Sequence, residues 1–387
     1  MRHGGAPAAA TGDHRLGEAH RLQQIALARQ QALGGTASAT DALVDAWFDR
    51  AWLARSWQRC LAQGQRPAES VAFATVSAAV QRDTRDAAQA LLAAAQPEME
   101  RLARAVAPIR YFAILTDAHG TVVGTAGAID RSDRATDAIA RVGVDLSERS
   151  VGTSAIGAAL TELQPVWLHR GEHFFEDTAV YSCAGAPLIG PRGDCVGMLD
   201  LTGVNVAERP ELKHLVAQSA RQIEDALVLA VPHALCLRLA WYDGIATSER
   251  AAVMCLDADG AVVSANAAAR DMLPSLHGSR HPAVHADELF ALPWPQLFDL
   301  AQRGSAVPVP LWSGLRVSVR ASRASACGDS GADAAALPLR SLTDDLIAQA
   351  VRAAGGNVTE AAQALGVSRA TVYRRLGQGR RPGVGAV

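Results

Sequence analysis

The sequence predicts an α+β fold with antiparallel sheets, followed by a short all-α segment near its C-terminal end. Three observations lead there. Apolar residues recur at helical spacing through the N-terminal part of the chain. The period then shifts to two, in hairpins punctuated by Asp and Gly. The last stretch returns to helix, with a capping residue at each helix start.

Taken in order, residues 1–68 read as an N-terminal helical region. A helix is expected over Arg15–Leu33, and Leu43, Trp47, Trp52, Leu53 and Trp57 continue the pattern at spacings of three to five. Glu69–Val106 is again mainly helical, with Val71, Val76, Val80, Leu91, Leu92 and Leu102 as its apolar positions. "RYFAILTDAHGTVVGTA" then reads as a hairpin: strand Tyr111–Thr116, turn Asp117–Gly120, strand Thr121–Thr125. A second hairpin pairs Ala186–Ile189 with Cys195–Leu201 across a Pro- and Gly-containing turn. Between the hairpins lie a short helix, "TSAIGAALTEL", and a strand, "QPVWLH".

A long amphipathic helix is expected next, Pro210–Leu239. A smaller copy of the pattern follows: "AAVMCLDADGAVVSANAAARDML" gives strand, turn, strand and helix, and Leu315, Val317 and Val319 alternate around a Ser-Gly turn. Arg323–Arg340 is a Gly/Ala/Ser/Asp linker without periodicity.

Whole-chain properties limit the function. The 387 residues give room for two or three domains, at roughly 150 residues each. A net charge of −2 exerts no global pull toward nucleic acid or membrane, so any basic surface must be local. The six cysteines, Cys60, Cys183, Cys195, Cys236, Cys255 and Cys327, contain no C-x-x-C pair and suit reduced thiols in a cytoplasm. No signal-peptide pattern opens the chain. The most apolar window, Asp225–Trp241, is interrupted by Pro232, His233 and Arg238; it is too short to span a bilayer comfortably and reads as a buried or dimer-forming helix. Lys213 is the only lysine and has no glycines at the upstream spacing of a phosphate-binding loop, so this chain carries no P-loop.

The segment 341–381 carries the most specific signal. "SLTDDLIAQAVRAAGG" starts at Ser341 or Thr343 and ends at Gly355-Gly356. Asn357 caps a second helix, with Glu360 placed as in a capping box. Ala362, Gly366 and Val372 hold helix-turn-helix spacing: a small residue for close approach, a glycine for the sharp turn, and an apolar plug. Ser368 caps the third helix, where Val372 and Leu376 face inward. From Arg369 onward there are five arginines and no acid. A basic, solvent-facing third helix suits the major groove of double-stranded DNA, as against an ordinary solvated three-helix cap.

"NVTEAAQALGVSRATVYRRL" also resembles the Fis-type helix-turn-helix that ends many bacterial regulators. That resemblance implies that Thr359, Ser368, Arg369, Thr371, Tyr373, Arg374 and Arg375 form the DNA-binding set. Upstream, "SVGTSAIGAALTELQPVWLHRGEHFFEDTAVYSCAGAPLIGPRGDCVGMLDLTG" resembles the GAF domain of acetoin-catabolism-type regulators. "ARSWQRCLAQG" is similar to the opening of that family. On this basis 69–235 is expected to be a GAF-like sensory domain, 248–322 a PAS-like module or spacer, 323–340 a linker, and 341–381 the DNA-binding domain.

The GAF-like stretch offers a pocket with apolar walls from Trp167, Phe174, Phe175 and Tyr181. Its polar handles are His169, His173 and Ser182, with Cys183 beside them. Each of these residues, taken singly, also reads as core packing. His169, His173 and Cys183 invite a metal, but "HRGEH" is not H-E-x-x-H and no fourth ligand is evident; neither metal nor cofactor is expected. No serine elbow, acid pair or Cys–His arrangement stands out, so no catalytic residue is expected.

Many members of the resembled family carry an ATPase between sensory part and tail, which this chain replaces with the 323–340 linker. The expected protein is therefore a one-component transcriptional regulator with an unknown small-molecule effector, working as a homodimer. RNA polymerase is a further candidate partner, and no membrane is. The alternative is an architectural DNA binder or anti-activator that competes with ATPase-containing relatives without sensing a ligand.

Overall fold

A computed structural model gives the structure of the chain. It describes residues 9–33, 50–73, 76–241, 251–277 and 284–324, and near the C-terminus 347, 350–352, 354–365, 367–369 and 371–373. Among the described residues no helix is long and apolar enough to cross a membrane.

Two five-stranded antiparallel sheets organise these residues. Strands β1 (Tyr111–Asp117), β2 (Val122–Ala126), β3 (Val166–His169), β4 (Tyr181–Ile189) and β5 (Cys195–Val204) build the first, in the order β2-β1-β5-β4-β3. β4 and β5 are longer than the hairpin read from the sequence. They extend back to Tyr181 and forward to Val204 because alternate side chains on both strands find a buried face. Pleating divides this sheet cleanly. Tyr111, Ala113, Leu115, Leu199 and Leu201 point to one face, against two helices, Gln89–Val106 and Leu212–Ala230. Phe112, Ile114, Tyr181, Cys183 and Met198 point to the other. That face is covered by the helices Ala51–Ala62 and Ala155–Glu162 and by the loop after β3.

The N-terminal helices serve this domain as walls. Ile25 and Ala28 of helix Ala9–Leu33, and Trp52, Leu53, Trp57 and Cys60 of helix Ala51–Ala62, are buried in the first domain's core. Their apolar faces are thus packed against the first domain's core. Leu43 and Trp47 of the same pattern lie outside the described residues.

One correction concerns Pro210–Leu239. The helix ends at Ala230, and Leu235–Trp241 is a strand, β6, inside the second sheet. Pro232 explains the break: it lacks an N–H and its ring collides with the preceding turn of a helix. Beyond it Leu235, Leu237 and Leu239 follow a period of two and enter the second core. With β7 (Ala252–Leu256), β8 (Val262–Ala265), β9 (Val307–Pro310) and β10 (Arg316–Arg323), β6 forms the order β8-β7-β6-β10-β9. Val317 and Val319 are buried as expected, whereas Leu315 sits in the turn and is 55% exposed.

The repeat seen in the sequence is repeated in three dimensions. Asp117 Oδ1 accepts hydrogen bonds from the backbone N–H of His119 and Thr121, both at 2.9 Å. Asp257 Oδ1 accepts from Asp259 and Ala261 at 3.0 and 2.9 Å. Gly120 and Gly260 close the two turns at φ +87° and +86°, a conformation that side chains disfavour.

Candidate functional site

The face of the first sheet that carries Tyr181 and Cys183 also carries Asp200 and Thr202, because β4 and β5 pair Cys183 with Thr202. Above these side chains lies a cavity of about 40 Å³, walled by Ile114, Ile139 and Val151 and reached by His173, Tyr181, Cys183, Asp200 and Thr202. It has room for a few water molecules, or for a ligand of similarly few heavy atoms.

Two buried polar atoms at this cavity have no hydrogen-bond partner: Asp200 Oδ1 and His173 Nε2. The other carboxylate oxygen of Asp200 accepts from the Thr202 hydroxyl, and that hydroxyl also lies 3.4 Å from the Cys183 sulfur. Burial raises the Asp200 carboxyl to about 7, against the smaller opposing effect of the Thr202 hydrogen bond. Burial also lowers His173 to about 4, so its ring is neutral near pH 7. Nδ1 faces the Arg170 carbonyl at 2.9 Å and must donate to it, which leaves Nε2 as an acceptor. In apolar walls, then, the cavity offers one acceptor and one carboxyl able to donate or accept. Orphaned buried polar groups cost on the order of 1–3 kcal/mol each, which a ligand hydroxyl or carbonyl would recover.

The residues expected to hold a ligand do not converge. His173, Tyr181 and Cys183 line the cavity. Trp167, His169 and Ser182 stand on the opposite face of the sheet, where His169 Nδ1 meets the Ser182 hydroxyl at 2.7 Å and the His169 ring stacks on Trp167. Phe174 and its neighbour Phe175 are core residues packed edge to face beside Gly152. Strand alternation is the cause: 167 and 169 share one parity on β3, and 181 and 183 share the other side on β4. Asp200 was missed. Its signal was an acid at an inward position of the apolar run "GMLDLTG".

The loop that carries His173 is clamped from outside. Glu172 is fully buried and is held by Arg50 at 2.6 Å and Arg21 at 2.7 Å, while the His169 N–H donates to its Oε2 at 2.7 Å. Burial alone would raise this carboxyl, but the two guanidinium groups outweigh it and hold it below the usual range. Arg29 adds hydrogen bonds to the carbonyls of Gly171, His173 and Phe174.

The "SWQRC" string has a related job. Ser56 and Arg59 bond to Glu148 at 2.5 and 2.7 Å, the Trp57 indole N–H donates to the Glu172 carbonyl at 2.9 Å, and Cys60 lies 3.5 Å from the Thr153 hydroxyl. These contacts tie helix Ala51–Ala62 to Glu148, to the loop carrying Glu172, and to Thr153 of the "GTSAIG" turn, whose Ser154, Ala155 and Ile156 line the cavity. Among the described residues no group of three His, Cys, Asp or Glu side chains could hold a metal ion.

Near the C-terminus, Asn357 Oδ1 accepts from the N–H of Thr359 and Glu360, capping helix Val358–Leu365. The Ser368 hydroxyl accepts from the Thr371 N–H at 3.2 Å. Ile347, Ala362, Leu365 and Val372 make a small core. Thr359, Ser368 and Arg369 are exposed, Thr371 is half-buried, and Tyr373 is 64% exposed. Arg374 and Arg375 lie outside the described residues, as do Ser341, Thr343 and Gly366.

Comparison with known proteins adds two matches. Residues 23–225 match the family of the MimR N-terminal domain, and residues 339–379 match the bacterial regulatory protein, Fis family. The acetoin dehydrogenase operon transcriptional activator AcoR of Bacillus subtilis is 25% identical over 276 residues, 69% of this chain and 41% of that protein. The acetoin catabolism regulatory protein of Cupriavidus necator is 28% identical over 181 residues, 46% of this chain and 27% of that protein. The propane 2-monooxygenase operon transcriptional activator MimR of Mycolicibacterium goodii is 31% identical over 139 residues, 35% of this chain and 24% of that protein. This chain therefore matches less than half the length of each of these relatives.

Proposed function

The chain belongs to the MimR N-terminal-domain family, with a Fis-family segment near its C-terminal end, and from that premise we propose that it is a signal-responsive transcriptional regulator. The first sheet and its helices act as a GAF-type sensor, and the second as a PAS-like module. The effector is a small, mostly apolar molecule with one hydroxyl or carbonyl group. It fills the cavity below His173 and beside Asp200, and its presence changes how the helix-turn-helix meets DNA.

One observation carries this reading: two orphaned polar atoms, on elements far apart in sequence, border the same small apolar cavity. Left unpaired they cost free energy, which a ligand hydroxyl or carbonyl in the cavity would recover. On the DNA side, Thr359, Ser368, Arg369, Thr371 and Tyr373, together with Arg374 and Arg375, form the reading set. A homodimer would present two such segments about 34 Å apart along a duplex. Coupling between the cavity and DNA is expected at about 1–3 kcal/mol.

The test begins with duplex sites selected by the full chain from a random library. Their affinity is then measured while small alcohols, ketones and hydroxyketones are titrated. The reading holds if one of these compounds shifts the affinity at least fivefold in wild type and Asp200→Leu no longer responds while still binding DNA. A chain that selects no sequence, or whose affinity no compound moves, would sink it.

A further inference from the structure

A much larger cleft, of about 550 Å³, lies between the two domains. Its rim is fixed by hydrogen bonds that cross from one domain to the other. Asn266, which caps helix Ala267–Met272, donates from Nδ2 to Asp225 Oδ1 at 2.7 Å. Arg270 donates to the Pro191 carbonyl at 2.6 Å, and the Ala265 N–H reaches the same carbonyl at 3.1 Å. Between these struts the walls are Pro187 and Ile189 from the first domain and Ala251 and Ala268 from the second. The volume falls within the roughly 300–1,000 Å³ typical of small-molecule sites.

Two charged side chains of opposite sign line the cleft without using their full hydrogen-bonding capacity. Glu224 is only 6% exposed, and its one hydrogen bond among the described residues is accepted by Oε1 from the Ile189 N–H at 2.8 Å. No hydrogen bond to its Oε2 is made among the described residues. Arg238, on β6 of the second domain, also lines the cleft, and its guanidinium has no hydrogen-bond partner among the described residues, although its charge acts on Asp225. A simple anion would meet Glu224, Asp225 and Asp271; a simple cation would meet Arg238 and Arg221. Only a ligand with both signs is matched at both ends.

We propose that this interdomain cleft binds a small zwitterion of the α-amino-acid class, its ammonium on Glu224 and its carboxylate on Arg238. Burial raises the Glu224 carboxyl to about 7, with the nearby Asp225 adding to the effect, and a bound ammonium would relieve that desolvation. Because the two anchors belong to different domains, occupancy fixes the domains relative to each other. The site is separate from the first cavity and does not depend on the function assigned there.

The test is calorimetric titration of the full chain at pH 7.5 with each of the twenty standard amino acids, and with succinate and putrescine as single-sign probes. At least one amino acid is expected to bind saturably, and Arg238→Gln to weaken it tenfold or more. Glu224→Gln, which keeps an acceptor for the Ile189 N–H, is expected to weaken it similarly. Far-UV circular dichroism checks that each variant is folded. Binding by none of the twenty overturns the proposal. So does succinate or putrescine binding as tightly as any amino acid, or undiminished binding by both folded anchor variants.

Discussion

Arg50 grips both carboxylate oxygens of Glu172, Nη1 to Oε1 at 2.6 Å and Nη2 to Oε2 at 3.0 Å, and in doing so ties an N-terminal helix to the loop that carries His173. The pair is buried on the carboxylate side, and Arg21 completes it from a second helix. Such a charge is tolerable only while its partners remain. Bidentate geometry, more than charge count, is what gives this contact its strength.

Glu172→Gln should therefore be among the most costly single changes in the first domain. Removing one member of a buried pair leaves the other uncompensated, at about 3–5 kcal/mol. Urea unfolding of variant against wild type measures it. The pH dependence has a definite sign. Because the folded carboxyl lies below its unfolded value, its contribution is complete above the ordinary glutamate range. It fades as pH falls through the depressed folded value, and Glu172→Gln should remove that part of the acid sensitivity. A loss under 1 kcal/mol would mean that the clamp is not structural.

Gly157→Ala tests the close approach behind the "GTSAIG" turn. A Cβ there would lie 2.7 Å from the backbone nitrogen of Glu148 and 2.8 Å from its Cβ, with no flexible side-chain end to give way. Overpacking of this kind costs about 1–3 kcal/mol. Unfolding should show that loss, and hydrogen exchange should localise it to the segments around Glu148 and Ser56. A neutral substitution would show that helix Ala155–Glu162 can shift.

Legibility in the sequence followed the range of the forces involved. Asp117 with Gly120, and Asp257 with Gly260, announce their turns because the hydrogen bonds stay within four residues. The caps at Asn357 and Ser368 were readable for the same reason. Pro232 was equally visible as a break, yet the apolar run around it masked the change from a helical period to a period of two. The cavity was only partly legible. Cys183, Asp200 and His173 come from separate elements, and only the pairing of β4 with β5 and the fold of the loop after β3 bring them together. The sequence pointed to the aromatic string "HRGEHFF", but the sheet sends Trp167 and His169 to the far side.

Arg369→Ala addresses the DNA side of the proposed function. Arg369 is exposed on the third helical stretch, just past the Ser368 cap, and its N-terminal position on that stretch suits a phosphate or a guanine edge. Fluorescence anisotropy with a selected duplex at several salt concentrations separates the two. A phosphate contact predicts weaker binding to every sequence and a salt slope reduced by about 1; a base contact predicts a loss of about 1–3 kcal/mol confined to the preferred site. Unchanged binding at all salts would remove Arg369 from the interface.

Asp200 supplies a pH signature of definite sign. Its folded carboxyl is raised to about 7 because burial penalises the charge, while the unfolded carboxyl titrates in the ordinary aspartate range. Between those values the folded state holds a proton that the unfolded state has released, so stability falls as pH rises. The fall stops above about 7, where both states are ionised. Its full size would be on the order of 4 kcal/mol if no water enters the cavity, and less if one does. Asp200→Asn keeps the shape and the Thr202 hydrogen bond but cannot ionise. The difference in unfolding free energy between wild type and Asp200→Asn, measured from pH 5 to 8, should therefore move in favour of the variant up to about pH 7 and level off above it. An effector that donates a hydroxyl to the ionised carboxylate would flatten that trend in wild type alone. A difference that stays constant with pH would show that Asp200 is already ionised and solvated in the folded chain, and the cavity would then have to be a wet one.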